Sequence, residues 1–489
     1  MIQKGARVMS EDMFTPERTF EAEDIQVPSG YSVELVAKEL TYPTDAAFDD
    51  EGNLYVIEAG YSYGPDWTES RLLKLRSDGS FTTVHEGGEN GPWNGVTFHD
   101  GYFFVAEGGH SEGGRILKIS KSGEEVQVLA DGLPSLGDHH TNGPVAGSDG
   151  WIYFGQGTAT NSGVVGNDNW RMGWLGENEE FADIPCEDVT LSGKNYSTPD
   201  PFSDDPADTV SSGPYKAVGE TARAGEVIQG QVPCSGAVMR VNRDGDPVEL
   251  VAWGFRNPYG LAFGPDNQLY VVENGFDARG SRKIVGGLDH LWRVIPGEWY
   301  GWPDYSGGIR LDDPSFVREG EIPADLLLQE YPGEPPEPVA VFGVHSSSSG
   351  LVFVPEQSEF GVEGDAFIAQ FGDMTPVTGN TISPVGYQIV RVNVHTGETE
   401  EFALNKKPGP GSASGTGGFE RPLGLVFSPD GDELYIVDFG MLIMSPMGPL
   451  PEPDTGSIWK ITRKYINNQD LKSSKLSVKQ KNINGIVIG

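Results

Sequence analysis

Asp138, His139 and His140 stand in a row in LGDHHTNGPVAGSDGWIYFGQGTATNSG (136–163), ahead of a Gly/Pro/Ser/Asp turn and a short aromatic run, Trp151 to Phe154. Histidine titrates near neutral pH, and a carboxylate beside it orients the ring and stabilises its charge, so this pair suits proton transfer. Placed before a strand, it reads as a loop holding an acid/base group at the mouth of a β scaffold. Farther on, WGFRNPYGLAF (253–263) sets Arg256 and Asn257 before another strand-like run. A guanidinium and an amide are donors suited to an oxygen that gains negative charge. His345, in HSSSSG, holds a corresponding place later in the chain and either lines a channel or caps a turn.

A repeat says what must position them. Small or polar residues, Gly-x-x-Phe, an acidic Gly turn and an aromatic strand recur around Tyr55, Phe104, Tyr153, Tyr270, Phe367 and Tyr435. Successive anchors lie 49, 49, 117, 97 and 68 residues apart, with further strand-like runs between them. A period near 49 with two hairpins per copy is the signature of a β-propeller, and six copies give six blades. The expected fold is therefore all-β, a six-bladed β-propeller over 27–463, with loop insertions over the face that carries the site. Equivalent positions of neighbouring blades lie side by side around the central channel. His139, Arg256 and Asn257 should thus converge although over a hundred residues separate them.

The extra length falls into two insertions, about 167–231 and about 304–339, the first expected to fold over the mouth as a lid. The second is Pro-rich and acidic, with one expected helical turn at Ala324–Glu330. Of the only two cysteines, Cys186 lies in the first insertion and Cys234 just past its end. They read as a disulfide closing a long loop, the other reading being two buried free thiols. Residues 1–26 form an N-terminal extension. Residues 464–489, Lys/Asn/Ile-rich and basic, read as a disordered tail.

Seventy-two acidic against 34 basic residues give a net charge of −38, which would repel nucleic acid and an anionic membrane alike. An anionic ligand must then find a local concentration of cations. No apolar run is long enough to span a membrane, and no signal peptide is visible. GHSEG (109–113) has the G-x-S-x-G spacing but runs into a strand, not the helix that a nucleophile elbow needs.

The order DHHTNGPVAGSDGWIYF, GFRNPYGLAF, ENGFD and GEWYGWPDY (297–305) resembles the soluble glucose/sorbosone dehydrogenase family of aldose-oxidising enzymes, over about residues 27–463. That resemblance implies a six-bladed propeller using pyrroloquinoline quinone (PQQ) and Ca2+, a sugar substrate oxidised to its lactone or acid, and an external electron acceptor such as a quinone, dye or cytochrome. It also implies a periplasmic or extracellular location. His139 aligns with the base, with Asp138 beside it. Arg256 and Asn257 match the pair that polarises the quinone carbonyl, and Arg421 matches a residue binding a cofactor carboxylate. Asn90 falls near a blade-two glutamine, and His345 is expected at the cofactor. The carbonyls of Gly275 and Phe276 match calcium ligands, a hard cation preferring oxygen. The chain departs from the family at Gly372, where a lysine is expected, and at Leu423, where a second arginine is expected. Arg279, Arg282 and Lys283 are candidate replacements for those cations. The alternatives on the same fold are a Ca2+-dependent lactonase-type hydrolase and a non-catalytic carbohydrate-binding propeller.

Overall fold

The computed structural model describes residues 16–464 apart from 61–67, 110–111, 136, 179, 246, 380, 382 and 446–447. Six antiparallel sheets form the blades. Blade one holds Pro43–Phe48, Leu54–Glu58, Ser70–Leu75 and Phe81–Gly88; blade two holds Trp93–His99, Tyr102–Glu107, Gly114–Ser120 and Val126–Leu133. Blade three is Thr141–Ala146, Trp151–Gln156, Ala237–Asn242 and Glu249–Trp253. Blade four is Pro258–Phe263, Leu269–Glu273, Leu288–Arg293 and Ala340–Val344. Blade five is Ser348–Phe353, Ala366–Gln370, Gln388–Val392 and Thr399–Asn405, and blade six Pro422–Phe427, Glu433–Asp438, Gly456–Arg463 and Tyr31–Leu40.

The first strands of the blades flank one another in order around a closed circle, which is the six-bladed propeller expected from the repeat. All six aromatic anchors fall on second strands. In Leu54–Glu58, Leu269–Glu273 and Ala366–Gln370 every residue is buried, because a blade is covered on both faces by its neighbours. The repeated Gly-x-x-Phe has a steric cause. A Cβ on Gly260 would lie 2.0 Å from the Ser349 carbonyl oxygen of the next blade, and one on Gly350 would lie 2.3 Å from that of Leu423. Only a residue without Cβ lets adjacent inner strands approach so closely.

The ring is closed by its two ends. Tyr31–Leu40 pairs with Gly456–Arg463, so the outer strand of blade six comes from the start of the described chain. The described part of the expected extension, 16–26, touches two blades. Ile25 and Gln26 pair with Asn405 and Leu404 of blade five, and Arg18 lies 3.3 Å from Asp438 in blade six. Residues 1–15, and the expected tail from 465 onward, lie outside the described residues.

The first insertion leaves blade three between its second and third strands. It carries short helices Asn167–Arg171 and Trp174–Glu177 and two hairpins, Val189–Ser192 with Ala224–Ile228 and Tyr196–Pro199 with Thr209–Ser212. Asp183 anchors it to the blade by accepting the Ala159 amide at 2.6 Å. The helical turn expected at 324–330 does not form. The Asp304 carboxylate accepts the Leu327 and Leu328 amides at 2.9 and 2.8 Å, and the Leu327 carbonyl accepts the Ser192 amide, which holds the segment extended. Cys186 and Cys234 form a disulfide across a separation of 48 residues. The chain-entropy account gives such a closure about 4 kcal/mol. The Cys186→Ser/Cys234→Ser protein should lose stability of that order, read by denaturant melts. Because the loop that the disulfide closes is the lid, limited proteolysis should cut first within 187–233.

Candidate functional site

The inner strands and the lid enclose a cavity of about 790 Å3 at one end of the channel. Asp138, His139, His140, Arg256, Asn257, Gly275 and His345 all line it. The residues just before the first strands of blades three, four and five therefore meet at one mouth, as their register requires. The lid contributes Asn167, Asp168, Arg171 and Met172 from its first helix and turn, and Ser197 to Pro199 from a hairpin.

His139 is set by its backbone surroundings. A Cβ on Gly157 would lie 2.2 Å from the His139 Cβ, so glycine there gives the side chain its room. Nδ1 lies 2.9 Å from the Thr158 carbonyl oxygen, which can only accept, so this nitrogen carries the proton. Nε2 is then the basic atom, 3.8 Å from Asp138 Oδ2. Burial, opposed by Asp138 and reinforced by Arg256 and Arg279, pushes the imidazole down to about 3. At neutral pH the ring is therefore an uncharged base. His140, with Nδ1 on the Ser135 carbonyl at 3.1 Å, is pushed by burial to about 4.

A charge cluster surrounds that base. Arg256, 3% exposed, donates from Nη2 to Asp277 Oδ2 at 2.9 Å and to Asn161 Oδ1 at 2.9 Å. Arg279 reaches three carboxylates, bonding Asp138, Asp277 at 3.0 Å and Asp168 at 2.9 Å. Burial raises the Asp138 carboxyl, but Arg279, His139 and Arg256 outweigh it and hold the group below its ordinary range. Asp277 likewise sits well below, since Arg256 and Arg279 overcome its burial. His345 faces Asp277 with Nδ1 at 3.6 Å. Asn257 lies in an amide chain, accepting from Asn142 at 3.0 Å and donating to Asn274 Oδ1 at 2.9 Å.

Three expected contacts are not on the cavity wall. Arg421 donates Nη1 to the Gly372 and Asp373 carbonyls, both at 3.2 Å, under the rings of Phe371 and Tyr387. Asn90 ties a blade-two loop, donating to Glu107 at 2.8 Å and accepting the Glu112 amide at 2.8 Å. Phe276 packs its ring into the core behind Gly275 and borders only a small separate cleft. Of the replacement cations, Arg282 is buried against Asp304 at 2.7 Å and Arg279 is saturated, leaving Lys283 on the rim. Sequence reasoning missed Asp277, although it ends the ENGFD motif, and also Asp168 and Asn161. Asp168 lies in the lid, where no repeat register exists to place it.

Tested against the chemistry of PQQ, the wall is uneven. Near His139 it offers Arg256 and Asn257 for a reacting carbonyl. Across the channel, blade five presents His345, but blades five and six present no lysine or arginine to the cavity among the described residues, although the quinone carries three carboxylates. Among the described residues no three His, Cys, Asp or Glu side chains are grouped to hold a metal ion, so calcium would rest on backbone oxygens such as that of Gly275. Nor is any helix there long and apolar enough to cross a membrane.

A family model described as Glucose / Sorbosone dehydrogenase matches residues 208–378, a span that carries Arg256, Asn257, Gly275 and His345 but not Asp138 or His139. No curated protein matches the chain in sequence. Among solved structures it is similar to the holo form of the pyranose dehydrogenase PQQ domain from Coprinopsis cinerea, with 16% identity and a TM-score of 0.54, covering 90% of this chain and 97% of that one. It is also similar to the PQQ-bound aldose sugar dehydrogenase from Streptomyces coelicolor, at 17% identity and a TM-score of 0.51, covering 89% and 99%. A calcium structure of a Trichoderma reesei carbohydrate-active enzyme of family AA12 matches at 16% identity and 0.54, covering 91% and 98%. At these identities the likeness carries the fold.

Proposed function

We propose that this propeller is a dehydrogenase that oxidises a sugar at a hydroxyl-bearing carbon, giving the lactone or acid, with His139 as the base. The observation that carries the reading is the state of His139: neutral, its Nδ1 committed to the Thr158 carbonyl, its Nε2 left as the basic atom of a side chain on the cavity wall. Such a nitrogen accepts a hydroxyl proton without first having to lose its own. Asp138, held anionic by Arg279, stabilises the imidazolium that results. Arg256 and Asn257, fixed by Asp277, Asn161, Asn142 and Asn274, stand where negative charge on an acceptor oxygen would be met by preorganised donors.

Oxidation removes two electrons and two protons from the substrate. One proton goes to His139, and the hydride must leave to a bound acceptor, since no side chain takes one. A quinone supplies that capacity when bound, and an external acceptor then takes the electrons. The lid excludes water from this step and brings polar groups, Asn167 and Ser197, to the sugar's side of the mouth. The disulfide suits an oxidising, periplasmic or extracellular location.

The test is dye-linked oxidation of a panel of aldoses by the purified protein, with quinone and calcium supplied. Turnover that needs a quinone and disappears in His139→Ala supports the reading. Sugar binding without turnover under any quinone would overturn it.

A further inference from the structure

The cavity has two unlike halves. Blades three and four give it carboxylates, guanidiniums and imidazoles, whereas the arc made by blades five and six is apolar once past His345, Ser347 and Ser349 at its start and Thr378 in a loop. Phe371, Met374, Leu423, Phe439, Leu442 and Pro449 line that arc. Four of them share one cluster: Leu423 and Phe439 pack with Tyr42 and Ala59, and Phe371 and Leu442 lean on them together with Tyr259. The Phe371 and Phe439 rings stand 5.5 Å apart at 65°, and Phe439 stacks on Tyr42 at 5.7 Å. The nearest cation along this arc, Arg421, is 2% exposed and spends its Nη1 on backbone carbonyls.

A carboxylate laid on such a surface would lose its water and gain no partner. A flat uncharged ring would instead bury apolar area and meet aromatic edges. The side of the channel settles which reactant lies there. Arg256 and Asn257, the donors suited to an acceptor carbonyl, precede the first strand of blade four, which stands in the ring between the polar blade three and blade five. An acceptor held at its carbonyl by blade four extends onto the apolar arc, while the substrate occupies the polar, lid-covered side. Resting on the dehydrogenase reading, we infer that the acceptor this channel selects is an uncharged aromatic ortho-quinone and not a tricarboxylate.

Calorimetric titration of the full chain in calcium-containing buffer tests this, with 9,10-phenanthrenequinone as the uncharged probe and PQQ as the charged one. Phenanthrenequinone should bind with a Kd lower by roughly tenfold or more. Leu423→Arg should narrow or invert that ratio by placing a cation on the arc. Leu442→Arg, at a partly exposed position of the same arc, should move the ratio the same way and serves if Leu423→Arg fails to fold. Tighter binding of PQQ to the unsubstituted chain, a ratio unmoved in a folded arginine variant, or no binding of phenanthrenequinone overturns the inference. The outcomes separate from those of the dehydrogenase reading. If phenanthrenequinone is preferred and no sugar is oxidised, the dehydrogenase reading fails while the ligand preference stands. If sugar is oxidised and PQQ binds more tightly, the ligand preference alone fails.

Discussion

The His139→Ala protein should lose about a hundred- to ten-thousand-fold in kcat, the range a positioned general base contributes, while binding the acceptor as before. The pH dependence gives the same residue a second signature. An ordinary imidazole titrates near 6.5, whereas burial and the neighbouring guanidiniums put this one at about 3. The active form is the deprotonated one, so kcat/KM should stay level as the pH falls through 6.5 and drop only well below 5. Asp138→Asn removes a charge that raises His139, so it should move that acid limb to still lower pH. An acid limb near 6.5 in the unsubstituted enzyme would assign the proton transfer to another group. Stability follows the same sign. The unfolded chain takes up the His139 proton first, so this residue's contribution is present above 6.5 and is lost as the pH falls towards 3.

The second large effect is expected at Arg279, the one guanidinium shared by Asp138, Asp168 and Asp277. Cutting it to alanine leaves three converging carboxylates with Arg256 as their nearest remaining counter-charge. Removing one partner of a buried ion pair costs about 3–5 kcal/mol. Arg279→Ala should lose at least that much in denaturant melts, with the loss shrinking at low pH as the carboxylates protonate. Arg279→Lys should recover only part of it, because an ammonium cannot present the planar fork that reaches several carboxylates. Lys283→Ala, on the exposed rim, should stay within about 0.5 kcal/mol of the unsubstituted protein. Equal losses for Arg279→Ala and Lys283→Ala would show that the cluster does not hold the mouth together.

What the sequence made legible was whatever the repeat controls. The anchors Tyr55 to Tyr435 placed the second strands, and the register placed His139 beside Arg256 and Asn257. Even the Gly-x-x-Phe signature has its cause in the inner circle of strands. What escaped depends on contacts outside that register. Asp168 reaches Arg279 only because the lid folds back from blade three onto blade four. Arg421 stands directly before Pro422, the place that Asn257 holds before Pro258, yet its guanidinium turns onto the carbonyls of 372 and 373 and leaves the channel. Asn257 lines the cavity from that place and Arg421 does not, so the register alone does not separate the two fates. The second insertion misled for a related reason, since a buried aspartate took the amides that a helical turn would have used.

The seam where Tyr31–Leu40 meets Gly456–Arg463 makes the molecule a circle fastened with its own ends. Those strands lie about four hundred residues apart, and bringing them together costs roughly 5 kcal/mol of chain entropy. During synthesis, five blades can assemble as an open arc, while Tyr31–Leu40 and Glu433–Asp438 keep bare backbone on the sides that Gly456–Arg463 pairs, before that strand leaves the ribosome. Such edges invite pairing with another chain. The growing polypeptide is therefore most vulnerable to association in the interval just before its last strand arrives, and a chain that stops short of Gly456 would remain in that condition.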